Sequence, residues 1–475
     1  MKRLILVLFL LHALSGISQH QDKVDFTYAD VYIKPVPDEN KIIGTVAYKF
    51  KVLSDVDSVF LDAKNMKFGY VSLDDKITKF DQTDEIIIFR QKFKANQTYS
   101  LGIGFEVEPK QTVYFLGWDD SIIGNEQIWT QGQGKYTSHW LPSFDAMEEK
   151  VEFDLTIAAP IGLKVVANGQ NLLTSVRKNK EFLDWNFDME KPMSSYLLAF
   201  AIGNYDKQEL TSKSGIQIEN YYYPEDSLKV EPTYRYTKKI FDFLEKEIDF
   251  PYPWQNYKQI PVRDFLYAGM ENTTTTIFSD GYVIDSTAFV DKNYVNVNAH
   301  ELAHQWFGNL VTEKDGNQHW LHEGFATYYA YLAEQHVFGD DHFYWKLYET
   351  LQRLAAEVAK GEGQSLLNPK ASSLTFYEKG AWALFMLRNQ SGNAAFKKGI
   401  YSYLEKFQFK NATIADFLIE LETVSGQDLS GFRKNWLENT KIPFEIAKEQ
   451  LRSSSKSLDV LFSLEEELQR AQSDD

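Results

Sequence analysis

The 475-residue chain contains no cysteine. That excludes a disulfide framework and an acylated lipoprotein cysteine. Stability must then come from packing, and a chain of this length can bury a sufficient core. Beyond the N-terminus no segment holds eighteen uninterrupted apolar residues, which excludes a transmembrane helix in the mature chain and predicts a soluble protein. Positive charge is in deficit, with 50 Lys and Arg against 67 Asp and Glu and a net charge of −17. That balance argues against a nucleic-acid partner or an anionic membrane surface. The acidity serves solubility and, more weakly, attracts cationic groups such as a peptide's amino terminus. Internal repeats and low-complexity linkers are absent too. What remains is a globular composition, 44 % hydrophobic and 15 % aromatic, in a length suited to two or three domains.

Residues 1–18 have the make-up of a secretory signal peptide. Lys2 and Arg3 give a positive start, Leu4 to Leu11 an apolar run, and Gly16 and Ser18 small residues at a cleavage point. The expectation is export, to the periplasm or the extracellular medium. Residues 19–205 read as a mostly antiparallel β domain. Val46, Tyr48, Phe50 and Val52 alternate onto one face, and Ser58 to Ala63, Glu85 to Phe93 and Val151 to Ala158 are further strand-like runs. From about 206 to 443 the pattern turns helical after one more β stretch at Gln259 to Phe265. Helical spacing covers Thr233 to Ile248, Asn293 to Asn309, Gln318 to Val337, Tyr377 to Arg388, Asn393 to Lys406, Thr413 to Thr423 and Asp428 to Asn439. A short segment, 444–475, contains an acidic helical candidate at Leu458 to Gln472. The fold class is α+β.

Chemistry concentrates at His300-Glu301-Leu302-Ala303-His304. Histidines four apart on a helix point from one face, so their ring nitrogens can reach one small cation together. A catalytic zinc ion needs a third protein ligand and an open position. Glu323 is the natural third ligand, in a second helical stretch that the turn Asp315-Gly316-Asn317 lets fold back on the first. Glu301 stands beside the metal, where a carboxylate can take a proton from water. Three weaker segments accompany the motif. Tyr267-Ala268-Gly269-Met270-Glu271-Asn272 offers a close backbone approach at Ala268 and Gly269 and a carboxylate for a substrate ammonium. Gln133, in Thr130-Gln131-Gly132-Gln133-Gly134, offers an amide carbonyl to an amine. Tyr377, in Phe376-Tyr377-Glu378-Lys379-Gly380, offers a hydroxyl to an oxyanion. Trp306-Phe307-Gly308-Asn309 is expected to pack and end the metal helix.

Taken in order, these segments resemble the aminopeptidase N group of zinc metallopeptidases, the gluzincins of peptidase family M1, which also include an epoxide hydrolase. The matching runs are His300 to Asn309, Glu323-Gly324-Phe325-Ala326 after eighteen intervening residues, Gly269-Met270-Glu271-Asn272 and Tyr377-Glu378-Lys379-Gly380, within residues 25–443. The resemblance implies an N-terminal antiparallel β-sheet domain followed by a thermolysin-like, mainly helical catalytic domain. It implies one Zn²⁺ held by His300, His304 and Glu323, with Glu301 as general base and Tyr377 supporting the oxyanion. Glu271 would hold the free α-amino group of a peptide substrate, helped by Gln133, with Ala268, Gly269 and Met270 beside it. The implied activity is hydrolysis of the N-terminal residue from peptides.

The chain also departs from the pattern. His322 stands where many members have Asn, and Gln318 where they often have Asp; both changes touch the support behind the metal. His319 and His322 are alternative ligand candidates beside a site that needs only three. Gln133 replaces a glutamate common among the aminopeptidases but matches the epoxide-hydrolase branch, so an epoxide hydrolase stays open as an alternative, as does a non-catalytic peptide-binding module. Larger members continue with a helical domain over the cleft, whereas 32 residues follow Pro443, which predicts a more open site.

Overall fold

The computed structural model describes residues 22–473 apart from 120, 121, 123 and 177–180. The segment 1–18, read as an export signal, lies outside the described residues. Two compact units divide the chain, the first ending at Tyr205 and the second beginning at Asp206.

The first unit is built on a nine-stranded sheet. Strand β1 (Val24–Val36) lies between β2 (Lys41–Val52), antiparallel to it, and β5 (Lys150–Pro160), parallel to it. On its other edge β2 pairs with β3 (Thr98–Val107), and β5 pairs with β6 (Phe182–Asp188). Alternation sets the inner face: Ile42, Val46, Tyr48, Phe50 and Val52 of β2 are all buried. Strand β4 (Gln127–Thr130) belongs to a separate four-stranded sheet. The expected antiparallel character is observed, with the β1–β5 pair as a parallel exception.

The register of β1 shifts between Phe26 and Tyr28. At that irregularity the Phe26 N–H donates to the buried carboxylate of Glu149, 2.6 Å away. Burial pushes the Glu149 carboxyl up to about 8. The folded chain therefore keeps a proton that the unfolded chain loses near its ordinary value of 4.5. Stability from this group is complete below that value and is lost as pH rises toward 8. Glu149→Gln keeps an acceptor for Phe26 and carries no titration. Urea unfolding at pH 5 and pH 8 should show a smaller loss of stability in the variant than in the parent.

The second unit corrects the expectation of a helical half with a single β stretch. Five strands form a mixed sheet in the order β7 (Asp206–Thr211), β8 (Gln217–Tyr222), β9 (Asn256–Val262), β11 (Thr275–Ser279) and β10 (Gly269–Met270). Strands β8, β9 and β11 run parallel. Every residue of β9 is buried, as expected for a parallel strand covered on both faces. The buried run Asn272 to Thr276 is wholly polar, so hydropathy does not mark β11.

Helices cover this sheet. Helix α1 (Thr237–Ile248) buries Ile240, Phe241, Leu244 and Ile248 in one stripe. Helix α2 (Val295–Ala303) carries the metal motif and packs on α3 (Phe325–Phe338). The sequence reading does not anticipate α4 (Asp340–Ala359), although Phe343, Leu347, Leu351 and Leu354 have helical spacing. Helices α5 (Gly380–Ser391), α6 (Asn393–Phe407) and α7 (Ile414–Ser425) follow, the last opened by a capping box between Thr413 and Asp416. Two more, α8 (Phe444–Ser454) and α9 (Lys456–Ser473), occupy the C-terminal segment. The segment is packed rather than trailing: Leu451, Leu458 and Phe462 are buried, and the Phe462 ring lies 5.7 Å from that of Tyr348 on α4.

Two predicted helices begin as widened π turns, at Trp320–Gly324 before α3 and at Thr375–Lys379 before α5. These turns meet at Gly324 and Gly380. A β-carbon at Gly380 would sit 2.8 Å from the Gly324 Cα, and the Trp320 indole N–H donates to the Gly380 carbonyl at 3.0 Å. Alanine in place of helical glycine ordinarily stabilises by up to about 1 kcal/mol. At this contact the sign should reverse, because backbone cannot yield as a side chain does. Gly380→Ala should lose about 1–3 kcal/mol in denaturant unfolding; a neutral or stabilised variant would refute the contact.

Candidate metal and active site

The metal motif lies in a buried helix. Val295, Val297 and every residue from Asn298 to Ala303 are buried. Helix α2 stops at Ala303, short of the expected Asn309, because the chain continues in wider turns. Asn309, Leu310 and Val311 donate to the carbonyls of His304, Gln305 and Trp306, five residues back. Gly308, at φ 132°, permits this path. The expected end of the helix at Gly308 and Asn309 is therefore the exit of a turn.

His300, His304 and Glu323 converge. The Nε2 atoms of His300 and His304 are 3.0 Å apart, and Glu323 Oε2 lies 3.2 Å from the first and 3.5 Å from the second. Zinc–ligand bonds of about 2.0–2.1 Å at tetrahedral angles separate ligand atoms by about 3.3–3.4 Å. The three observed edges bracket that value. The His304 Nδ1–H donates to the Phe307 carbonyl at 2.9 Å, which leaves the Nε2 lone pair facing the centre.

Around this triad the site holds more negative charge than its imidazoles can balance. Ligand atoms of Glu271, Glu301 and His304 also fall within 4.8 Å of one another. Glu271, Glu301 and Glu323 are each at most 6 % exposed. Burial pushes the carboxyls of Glu271 and Glu301 up. It does the same to Glu323, but His304 and His300 outweigh it and hold that group well below its usual range. Burial opposes a charge on His304, yet the surrounding Glu323, Glu271 and Glu301 lift it to about 10. A buried cluster of this charge calls for a cation, and the donor set suits zinc.

The other predicted residues are placed as follows. Gly269 and Met270 form β10, and an added β-carbon at Gly269 would stand 2.5 Å from Glu301 Oε1, so Glu301 lies directly against that strand. Ala268 is exposed, and its carbonyl accepts the Ser279 N–H at 3.0 Å. The Tyr377 ring stacks on His300 with centroids 5.3 Å apart, and its hydroxyl is raised by burial and by Glu323 and Glu301. Gln133 belongs to the first unit, on the loop after β4, where its backbone N–H donates to Gln131 Oε1 at 2.5 Å. Gln318 accepts the Ile414 N–H at 2.9 Å and so ties the start of α7. His322 accepts the Glu313 N–H on Nε2 at 2.7 Å, away from the metal triad.

Sequence reasoning missed the residues that hold Glu271. The Asn309 side-chain amide donates to the Glu271 carbonyl at 2.7 Å. Gln305 donates to the same carbonyl at 3.3 Å and accepts the Thr274 N–H at 3.0 Å. Asn309 ends the stretch read as packing and Gln305 directly precedes it; a buried amide directly after a metal motif was the available signal. Buried Glu313, within hydrogen-bonding reach of His319, was missed as well.

Comparison with known proteins agrees with this geometry. Residues 25–197 match the Peptidase M1 N-terminal domain and residues 233–436 the Peptidase family M1 domain. A probable aminopeptidase 1 from Sulfurisphaera tokodaii is 29 % identical over 418 residues, covering 83 % of this chain and 51 % of that protein. The glutamyl aminopeptidase of Sus scrofa is 26 % identical over 466 residues, covering 89 % and 48 %. The chain thus spans about half the length of the curated relatives it matches. An M1 zinc metallopeptidase from Deinococcus radiodurans, solved with a Tyr-Ser-Ala substrate, shares the fold with a TM-score of 0.75 at 20 % identity, over 89 % of this chain and 96 % of that one. With both of its domain models matched in order on one sheet-plus-helix framework, the chain belongs to peptidase family M1.

Proposed function

We propose that the chain is a zinc-dependent aminopeptidase that removes the N-terminal residue from peptides. The observation that carries this reading is the position of Glu271, whose carboxylate lies within 4.8 Å of the Glu301 carboxylate and of His304. In a peptide the α-nitrogen and the first carbonyl carbon are about 2.5 Å apart. An ammonium group held by Glu271 therefore puts the first peptide bond, and no later one, beside Glu301.

His300, His304 and Glu323 would hold the ion. Zinc there supplies a Lewis acid for the scissile carbonyl and acidifies the attacking water. Glu301 takes the water's proton onto its carboxylate and passes it to the departing amine. Its burial favours this, because a desolvated carboxylate is a stronger base. Tyr377 donates its hydroxyl to the oxygen on which charge develops. Glu271 accepts hydrogen bonds from the substrate ammonium, a charge-assisted contact in a water-poor site. The N-terminal Lys2, Arg3 and apolar Leu4 to Leu11 support export of the chain as part of this reading.

Aminoacyl arylamides test the activity, assayed with chelator and with zinc restored; turnover that survives complete metal removal would refute it. Glu301→Gln should reduce kcat by about 10²–10⁴-fold while zinc content stays at one ion per chain. Glu271→Ala should raise KM by about tenfold to a hundredfold for substrates with a free amine. An unchanged KM would strip Glu271 of its role.

A further inference from the structure

A cavity of about 590 Å³ in the second unit shares no residue with the metal site. Its volume is in the range of small-molecule sites. Three parts of the chain wall it: Lys213 on the β7–β8 connection, the face of α1 opposite its buried stripe, and His336 near the end of α3. The His336 ring lies flat on Phe243 of α1, with centroids 4.5 Å apart and 10° between the planes.

Cations dominate this lining, although the chain as a whole carries a net charge of −17. The two carboxylates present are already engaged. Glu247 accepts from Arg388 at 2.6 Å and from Lys397 at 2.9 Å. Asp242 accepts the Lys213 backbone N–H at 2.7 Å and pairs with Lys238 at 3.4 Å. Arg235 is satisfied by Glu231, at 2.7 and 2.8 Å. Lys213, Lys239 and Lys246 make no ion pair among the described residues. Burial, and then Lys239, Lys213 and Lys246, hold the His336 imidazole below its ordinary value, so the three ammoniums act on one point of the wall. Lysines on an exposed helix face ordinarily serve solubility. Here acidic groups already supply it, and grouping three cations without a counter-charge is repulsive.

We propose that this cavity binds a small molecule carrying two or more linked phosphoryl groups. Ammonium groups hold phosphoryl oxygens as point charges, without the flat fork that matches a carboxylate. Lys239 and Lys246 stand seven residues apart on α1, about 10 Å along its axis, a span that linked phosphoryl groups bridge better than a lone anion. The balance of charge sets the size. Local cations are screened beyond a Debye length of about 8 Å. A long polyanion would therefore meet the acidic remainder of the surface, and a compact one would not. The His336–Phe243 pair offers a stacking face to a ring attached to the phosphates. The site stands independently of the zinc reading.

Calorimetric titration of the full chain at low salt tests this, with tripolyphosphate, ATP and orthophosphate as probes. Tripolyphosphate should bind saturably at one site per chain, and orthophosphate about tenfold more weakly or worse. ATP should bind at least as tightly as tripolyphosphate. A gain for ATP that His336→Ala removes assigns a ring-bearing ligand, and equal binding assigns phosphates alone. Lys239→Gln/Lys246→Gln keeps good helix formers and should weaken tripolyphosphate binding about tenfold. Lys360→Gln/Lys370→Gln makes the same change in net charge at exposed positions outside the cavity and should leave binding unaltered. Thermal unfolding establishes that both double variants are folded. No saturable binding below about 1 mM would overturn the proposal. So would an equal loss in the two double variants, or binding that persists without Lys239 and Lys246, which would place the anion elsewhere, the metal site included.

Discussion

Three carboxylates and two imidazoles buried around one point are the constraint on which this structure turns. Glu271, Glu301 and Glu323 all lie at or below 6 % exposure beside His300 and His304. Isolated buried carboxylates cost several kcal/mol each unless paired. The cluster persists only because the framework forces it together and because a divalent cation can balance it. The same excess of negative charge gives the site its chemistry. Under the proposed reading, that excess would hold a metal, leave Glu301 as a base and present Glu271 to a cationic amine.

The forcing is done by backbone devices. Strand β10 has to lie close against α2, and Gly269 is the residue that lets Glu301 fit. Glu323 and Tyr377 both leave the chain from π turns, where an extra residue per turn shifts the direction of a side chain. Those turns are locked against each other at Gly324 and Gly380, with the Trp320 indole bonded across. Glu323 and Tyr377 are thus fixed relative to each other by main-chain contact rather than by their own side chains.

Much of this was legible in the sequence. The metal motif is local, so the spacing of His300 and His304 carries its geometry directly. The alternation of Val46, Tyr48, Phe50 and Val52 likewise reports a half-buried strand, and β2 is one. The sheet of the second unit was legible only at Gln259 to Val262, within β9. Strand β11 opens in the buried polar run Asn272 to Thr276, which neither period nor hydropathy marks. The π turns were hidden as well, since Trp320 to Gly324 has ordinary helical composition and widens only under tertiary contact. Glu313 and His319 are six residues apart on either side of a turn, and only folding brings Nδ1 to the carboxylate.

The spacing between Glu301 and Glu271 is held from one element. Glu301 is on α2, and Glu271 is on the connection between β10 and β11. The amides of Gln305 and Asn309, in the wide turns directly after α2, hold the Glu271 carbonyl at 3.3 and 2.7 Å. The Trp254 indole fixes the Gln305 carbonyl in turn, at 3.1 Å. A single continuous stretch, His300 to Asn309, therefore carries His300, His304 and Glu301 together with the amides that clamp the Glu271 loop. Any shift of α2 carries base and anchor together. Under the exopeptidase reading that distance decides which bond is cut, so tying both ends to one element protects selectivity against motion elsewhere in the fold. It also gives a physical reason for the amides to follow the metal motif so closely: at positions farther along the chain they would lock the anchor to something other than the base.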